Sequence, residues 1–418
     1  MVWISRGVKA MKALVLCGGI PQIALIQNLK GRGITTVLAD ANELVPARKY
    51  ADVFYQVSVL DIEGVKAVAQ KEQVDFIITV CADQVLQVVA QVSEMLHLPC
   101  YIDFETAQAV SKKSYMKQVF TQNNIPTSQY IIADSLDMDT IRDLSFPLIV
   151  KPVDSYSSRG VTKVVNPEDL PDAFNEAVRI SRTNTAIVEE FIEGDELTVD
   201  VYVEDGVSHV LCVSRLSKIG EDGKFIIHRT ENPVDYSENV NSQIREVAQL
   251  IADAFGLKNS PMLIQLITDG QKISVVEFCA RTGGGDKFRL IKKVSGFDVI
   301  DAVVELTLGG KPHYEQLQQK NNFITNEFLY CKPGVFDHIE GMEKLLADGI
   351  ITEYYILKSA GHRFNAISSS GDRVAYYTVE AASQTELKQK RMLASQLVRA
   401  VDANGNDLLR HDLIVKER

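Results

Sequence analysis

The stretch Leu263-Ile264-Gln265-Leu266, followed beyond Asp269-Gly270 by Val275-Val276-Glu277-Phe278-Cys279-Ala280-Arg281, reads as two β-strands joined by a tight turn. Side chains alternate along a strand, so Glu277 and Cys279 share one face. Gln265 falls roughly opposite them on the paired strand. An acid set in an apolar strand needs a partner, because burying a charge alone is costly. Two oxygen-bearing side chains converging there suit a hard divalent cation that prefers oxygen ligands. An ion pair from Glu277 to Arg281 or to a lysine is the plainer reading of the same acid.

Moving outward, Val188-Glu189-Glu190-Phe191-Ile192-Glu193-Gly194-Asp195-Glu196-Leu197-Thr198-Val199 sets acids beside an apolar strand. A domain edge looks like this, and so does a purine nucleoside site. Glu189, the backbone of 190–192 and Glu196 offer an acceptor for an amino group, a ring-edge pair and a carboxylate for ribose hydroxyls. Earlier still, Phe146-Pro147-Leu148-Ile149-Val150-Lys151-Pro152 is a strand that ends on a lysine, which needs an anionic partner. The loop after it, Asp154-Ser155-Tyr156-Ser157-Ser158-Arg159-Gly160, carries hydroxyls and backbone N–H groups of the kind that cradle phosphate. A fourth pattern, Ser111-Lys112-Lys113-Ser114-Tyr115-Met116-Lys117, reads by itself as a helix start capped by Ser111 with exposed lysines.

The rest of the chain frames these patterns. Strands at 12–16, 34–39 and 76–80 alternate with helices, one opened by Pro21 and one capped by Asp61, which predicts a parallel sheet covered on both faces. The first turn, Cys17-Gly18-Gly19-Ile20-Pro21, lacks the third glycine of a dinucleotide fingerprint, although Asp40 ends the second strand. It reads better as a tight turn lining a substrate cleft. A helix opens at Asn166-Pro167-Glu168-Asp169 and another covers 242–255, closed by Gly256. His228 and Arg229 read as an exposed loop before Asn232-Pro233, and only weakly as contacts to phosphate or substrate. Gly283-Gly284-Gly285 either lets backbone approach a substrate or is a plain turn. Further strands are expected at 323–330, 351–358, 364–368 and 373–380, then a helix opened by the capping box Ser383-Gln384-Thr385-Glu386.

The 418 residues are 46% hydrophobic and 24% charged, which is core material for several lobes. A formal net charge of −11 without a basic run argues against a nucleic-acid partner. No run is apolar enough for a membrane span, and MVWISRGVKA makes a poor signal peptide; residues 1–10 read as an extension or an upstream start choice before Met11. Six cysteines without a CxxC pair read as small hydrophobes of a reducing, cytoplasmic protein.

In this order the four patterns resemble the ATP-grasp superfamily over roughly residues 11–310, as in the carbamoyl-phosphate synthase large chain, biotin carboxylase and the L-amino-acid ligases. The resemblance implies an α/β architecture in four parts. These are a Rossmann-like parallel-sheet domain (11–110), an ATP-grasp part with the small lid lobe (111–195), a core with the metal site (196–315) and a C-terminal α+β subdomain (316–418). It implies ATP as cofactor, with Lys113, Lys151, Ser157, Ser158 and Gly160 on the phosphates and Glu189, Glu190, Ile192 and Glu196 on adenine and ribose. It places Mg²⁺ or Mn²⁺ on Gln265 and Glu277, and catalytic roles on Lys151 and on Arg281, which would steady the transferred phosphoryl group. Two residues depart from the family pattern. Lys112 stands where an Asp is usual, and Cys279 replaces the Asn of Glu-x-Asn-x-Arg. A thiol is a soft ligand that suits Mg²⁺ poorly, which leaves water, substrate or Asp286 to complete a second metal. The implied activity is a carboxylate–amine ligase that forms an acyl-phosphate from a small carboxylate such as an amino acid. A bicarbonate-activating carboxylase of the carbamoyl-phosphate synthase kind and a regulatory ATP-binder without turnover are the alternatives. Partners would be small molecules, with no membrane or nucleic acid, and a second copy of the chain in a homodimer.

Overall fold

The computed structural model describes residues 11–155, 159–219, 225–315 and 322–415. The alternating N-terminal pattern builds a four-stranded parallel sheet in the order Val53–Gln56, Thr35–Asp40, Lys12–Leu16, Phe76–Ile78. Helices Ile62–Glu72 and Asp83–Leu96 cover one face through Val65, Val68, Val89 and Val92. Helix Ile20–Gly31 covers the other through Leu25, Ile26 and Leu29. Asp61 caps its helix by accepting from the Gly64 N–H at 3.1 Å. The Cys17-Gly18 turn is closed by Asp40, whose carboxylate accepts the Gly18 N–H at 2.8 Å. Gly18 is required there, since a Cβ would lie 2.2 Å from Val45.

A small antiparallel sheet follows, in the order Tyr130–Ala133, Ala186–Glu190, Leu148–Pro152, Thr162–Val164. Helix Leu170–Ile180 packs on it through Leu170, Phe174 and Ala177. The main sheet has eight antiparallel strands in the order Ile273–Cys279, Ser260–Thr268, Asp195–Glu204, Val207–Ile219, Ile226–Asn232, Phe323–Leu329, Ala375–Ala381, Glu353–Ile356. Helix Glu238–Ala254, capped by Ser237, buries Val240, Ile244, Val247 and Ile251 against one face of it. On the other face Tyr202 and Leu211 share a core with helices Lys287–Ser295 and Val299–Thr307 and with Leu25 and Leu29 of the first domain. The parallel-sheet domain is therefore packed directly against the main sheet. The last three strands of that sheet come from beyond residue 316, while residues 329–414 also gather their own core.

Several local expectations are corrected. Ser111 does not cap a helix; its hydroxyl donates to Ala107 O at 2.7 Å, and the helix runs Lys113–Gln122 without a side-chain cap. Asn166 does not cap either. Its side chain donates to Asp169 ahead of a single 3₁₀ turn, and the α-helix starts at Leu170. Ser383 caps its helix, but Glu386 reaches back to the Ala382 N–H, one residue beyond a capping box. The largest revision concerns His228 and Arg229. They lie in strand Ile226–Asn232 and are 5% and 3% exposed, so neither is a loop contact. Arg229 is a structural charge. Its Nε donates to both Glu327 oxygens at 2.9 and 3.0 Å and one terminal nitrogen to Ile414 O, while Arg391 also holds Glu327 at 2.6 Å. Burial alone would push the Glu327 carboxyl up, yet the two guanidinium groups hold it below the usual range.

This cluster joins the C-terminal strands to the main sheet at the Arg229–Glu327 register position. Removing one member of a buried, fully paired set leaves an uncompensated charge, which typically costs about 3–5 kcal/mol. Glu327→Ala is expected to lower unfolding stability by that amount in urea. A loss below about 1 kcal/mol, the range of an exposed ion pair, would show that the cluster does not hold the C-terminal strands.

Candidate active site

The small sheet faces the Gln265–Glu277 edge of the main sheet across a cleft open to solvent. Lys113, Lys151, Glu189, Glu190, Ile192, Glu196, Gln265 and Glu277 all line it. Gly160 does not. It closes on Pro152 and Ile180, where a Cβ would come within 3.0 Å of both, and its φ of +75° suits glycine. Ser157 and Ser158 lie outside the described residues.

The lysine-rich end of the cleft is organised by charge. Glu189 is 6% exposed, and its carboxylate takes Lys151 on one oxygen and Lys117, at 2.7 Å, on the other. Ser128 Oγ donates to the second oxygen as well, at 2.9 Å. Burial would raise this carboxyl, but the two ammonium groups outweigh it and pull it down to about 2. Burial pushes Lys117 the other way, away from its charged form. With three donors on its oxygens the carboxylate stays ionised, and Lys117, which also donates to Thr127 at 2.7 Å, stays with it. Thr127 in turn donates to Val275 O at 2.8 Å, which ties the small sheet to the Glu277 strand.

Gln265 and Glu277 are register partners on adjoining strands. Lys113 lies 2.7 Å from Glu277 and also donates to Ser155 O at 3.0 Å. Burial would raise the Glu277 carboxyl, and Lys113 holds it below its usual range. Glu196 pairs with Lys218, and the Gln265 amide reaches it at 3.5 Å. Among the described residues no three His, Cys, Asp or Glu side chains gather as a metal nest. Glu277 and Gln265 nonetheless present hard oxygen donors on one edge, which suits a cation that takes its other ligands from phosphate and water. At the far end, Ile149, Phe191, Phe225 and Ile267 give apolar walls for a planar ring. The Glu190 side chain is turned away, accepting the Ser145 N–H at 2.9 Å.

Arg281 does not line the cleft; with Lys113 and Glu277, which do, it borders a second, small cavity. Its Nε donates to Asp83 at 2.6 Å and its Nη1 to Thr282 O at 2.6 Å. Cys279 sits on the same cavity, where burial and the Asp83 charge hold its thiol well above the ordinary range, hence protonated. Asp286, the alternative metal ligand of the sequence, is 4% exposed and lines a different cavity with Arg373 and Tyr376. It is 3.0 Å from Arg289, and burial pushes its carboxyl up to about 7. Of the triple-glycine turn, Gly283 is needed for a close approach. A Cβ on Gly283 would lie 2.9 Å from Asp200, whose carboxylate is neutralised by Lys287 at 3.2 Å.

Residues 144–288 match the family model of the ATP-grasp domain. The chain has the ATP-grasp fold. Residues 14–98 match a PylC-like N-terminal domain, and 327–402 match L-amino acid ligase C-terminal domain 2. An L-amino acid ligase from Bacillus licheniformis superposes with a TM-score of 0.80 at 19% identity, covering 94% of this chain and 99% of that one. Phosphoribosylglycinamide synthetase from Anaerococcus prevotii gives 0.75 at 18%, covering 94% and 100%. In sequence, the chain is 23% identical over 256 residues to a formate-dependent phosphoribosylglycinamide formyltransferase of Methanocaldococcus jannaschii, covering 59% of this chain and 64% of the relative. The Sulfurisphaera tokodaii protein of the same name is 30% identical over 206 residues, covering 46% and 50%. The chain thus spans between half and just under two-thirds of these curated relatives.

Within the ATP-grasp cleft the structure adds residues that sequence reasoning missed. Lys117 was read as an exposed helix lysine but is 2% exposed. Its place beside Met116 and three residues before Phe120, with which it shares a helix face, was the available signal. Ser128, Lys218 and Asp83 had no local signal, since each becomes relevant only through a partner more than 20 residues away.

The Glu189 pairing has a pH signature. A carboxyl held at about 2 in the fold, against an ordinary 4.5, contributes stability that is complete above pH 4.5 and lost as pH falls toward 2. The stability difference between the parent and Glu189→Gln is therefore expected to be constant from pH 7 to 5 and to shrink below 4.5. A difference that holds flat down to pH 2 in denaturant titrations would contradict the pairing.

Proposed function

We propose that this chain is an ATP-dependent carboxylate–amine ligase that works through an acyl-phosphate, with residues 11–110, 111–195, 196–315 and 316–418 as its working parts. The observation that carries the reading is the meeting in one cleft of Lys113, Lys151, Glu277 and Gln265 with an apolar end walled by Phe191 and Ile149. The adenine ring would lie against those walls, with the backbone at 190–192 at its edge and Glu196 toward the ribose. Lys113 and Lys151 would leave Glu277 and Glu189 in part to meet the phosphates. Lys117 would stay on Glu189 and keep that charge compensated.

Glu277 and Gln265 would hold Mg²⁺, or Mn²⁺, which supplies positive charge to the phosphate oxygens. The carboxylate substrate attacks the γ-phosphorus, ADP leaves, and the acyl-phosphate is then displaced by an amine with release of phosphate. Catalysis on this reading is positioning plus electrostatic stabilisation by Lys113, Lys151 and Arg281. The L-amino acid ligase C-terminal match supports an amino acid as one substrate. The proposal includes a homodimer and a reducing cytoplasmic setting, the latter supported by six free thiols. No described helix is long and apolar enough to cross a membrane.

The test is phosphate release from ATP and Mg²⁺ across pooled amino acids, other small carboxylates, amines and bicarbonate. Release requiring both a carboxylate and an amine is expected, with Glu277→Ala slower by about 10²–10³-fold. Release driven by bicarbonate alone would replace the ligase with a carboxylase.

A further inference from the structure

Asp83 is the first residue of helix Asp83–Leu96 in the parallel-sheet domain, and Arg281 ends the Glu277 strand, 198 residues later. A guanidinium has five N–H donors. Here Nε donates to Asp83 Oδ1, Nη2 is in ion-pair contact with the same oxygen, and one Nη1 hydrogen goes to Thr282 O. The side chain is 11% exposed, so the remaining donors cannot be redirected by swinging a free chain; their aim is set by these contacts. Arg281 borders one small cavity with Lys113 and Glu277, two residues that also line the main cleft.

We propose that Asp83 is a positioning residue for Arg281, aiming its remaining N–H groups at the phosphoryl group in transfer. The proposal rests on the ligase reading. Three features hold the Asp83 charge in place: the Arg281 guanidinium, the start of a 14-residue helix, and the Cys279 thiol, which hydrogen-bonds the carboxylate. Burial would raise the Asp83 carboxyl, and Arg281 and Cys279 outweigh it. The first domain thereby contributes directly to the ATP-grasp site.

The test uses the full chain and the phosphoryl-transfer mimic ADP–Mg²⁺–aluminium fluoride, which needs no knowledge of the substrate. Asp83→Asn is expected to weaken trapping of the adduct by about 10–100-fold, the usual effect of losing a partner that orients a site group. Binding of ADP–Mg²⁺ alone should change less than about 2-fold, and in the phosphate-release assay kcat should fall while KM for ATP holds. Asp83→Glu keeps the charge and is expected to recover most of the trapping; it carries the comparison if Asp83→Asn does not fold. Unchanged trapping in Asp83→Asn, or an equal loss of plain ADP binding, overturns the positioning role and leaves the ligase reading intact. A parent protein that binds ADP–Mg²⁺ but does not trap the adduct overturns both.

Discussion

Glu189 carries a full charge at a position only 6% exposed, and two lysines and a serine must stay on it for that charge to be tolerated. This requirement reaches well beyond one residue. Lys117 comes from the helix before the small sheet, Ser128 from the segment leading into it, and Lys151 from the end of its central strand. Thr127 extends the network to the backbone of the Glu277 strand. The small lobe is thereby tied to the main sheet at the place where the two form a cleft. A buried carboxylate with fewer donors would be protonated or would drag its strand toward water.

The same arithmetic of charge recurs along the cleft. Each acid facing it has a lysine partner in the described structure: Glu277 with Lys113, Glu196 with Lys218 and Glu189 with Lys151. Such a surface is close to neutral before a ligand arrives. On the proposed reading, a polyanion brought in with a divalent cation would exchange partners with these pairs instead of meeting bare cations. Low local dielectric makes each exchange matter more than it would on the surface.

A second buried charge cluster does quieter work. Arg229, Glu327 and Arg391 lie where strands from before and after residue 316 meet in one sheet. Their chemistry resembles that of a site, but they are closed over by Ile414 and neighbouring strands, and they join parts of the fold. Charged residues within a few positions of a cleft are thus divided by tertiary packing into those that face it and those that bind the sheet together.

Much of this was present in the chain itself. Period-two alternation put Glu277 and Cys279 on one face, because side chains on a strand have only two faces to choose from, and a bulge between Gln265 and Leu266 then set Gln265 opposite Glu277. Alternating strands and helices dictated the parallel N-terminal sheet for a similar local reason. The four patterns in order were legible as an ATP-grasp arrangement through their resemblance to that superfamily. Tertiary structure decided what depends on residues far apart. It buried Lys117, placed Arg229 in a strand, moved Asp286 to another cavity and brought Asp83 onto Arg281 across 198 residues. Local sequence sets backbone geometry and the facing of side chains. Which charge meets which is set by how separately formed elements pack, and no window of sequence contains both members of such a pair.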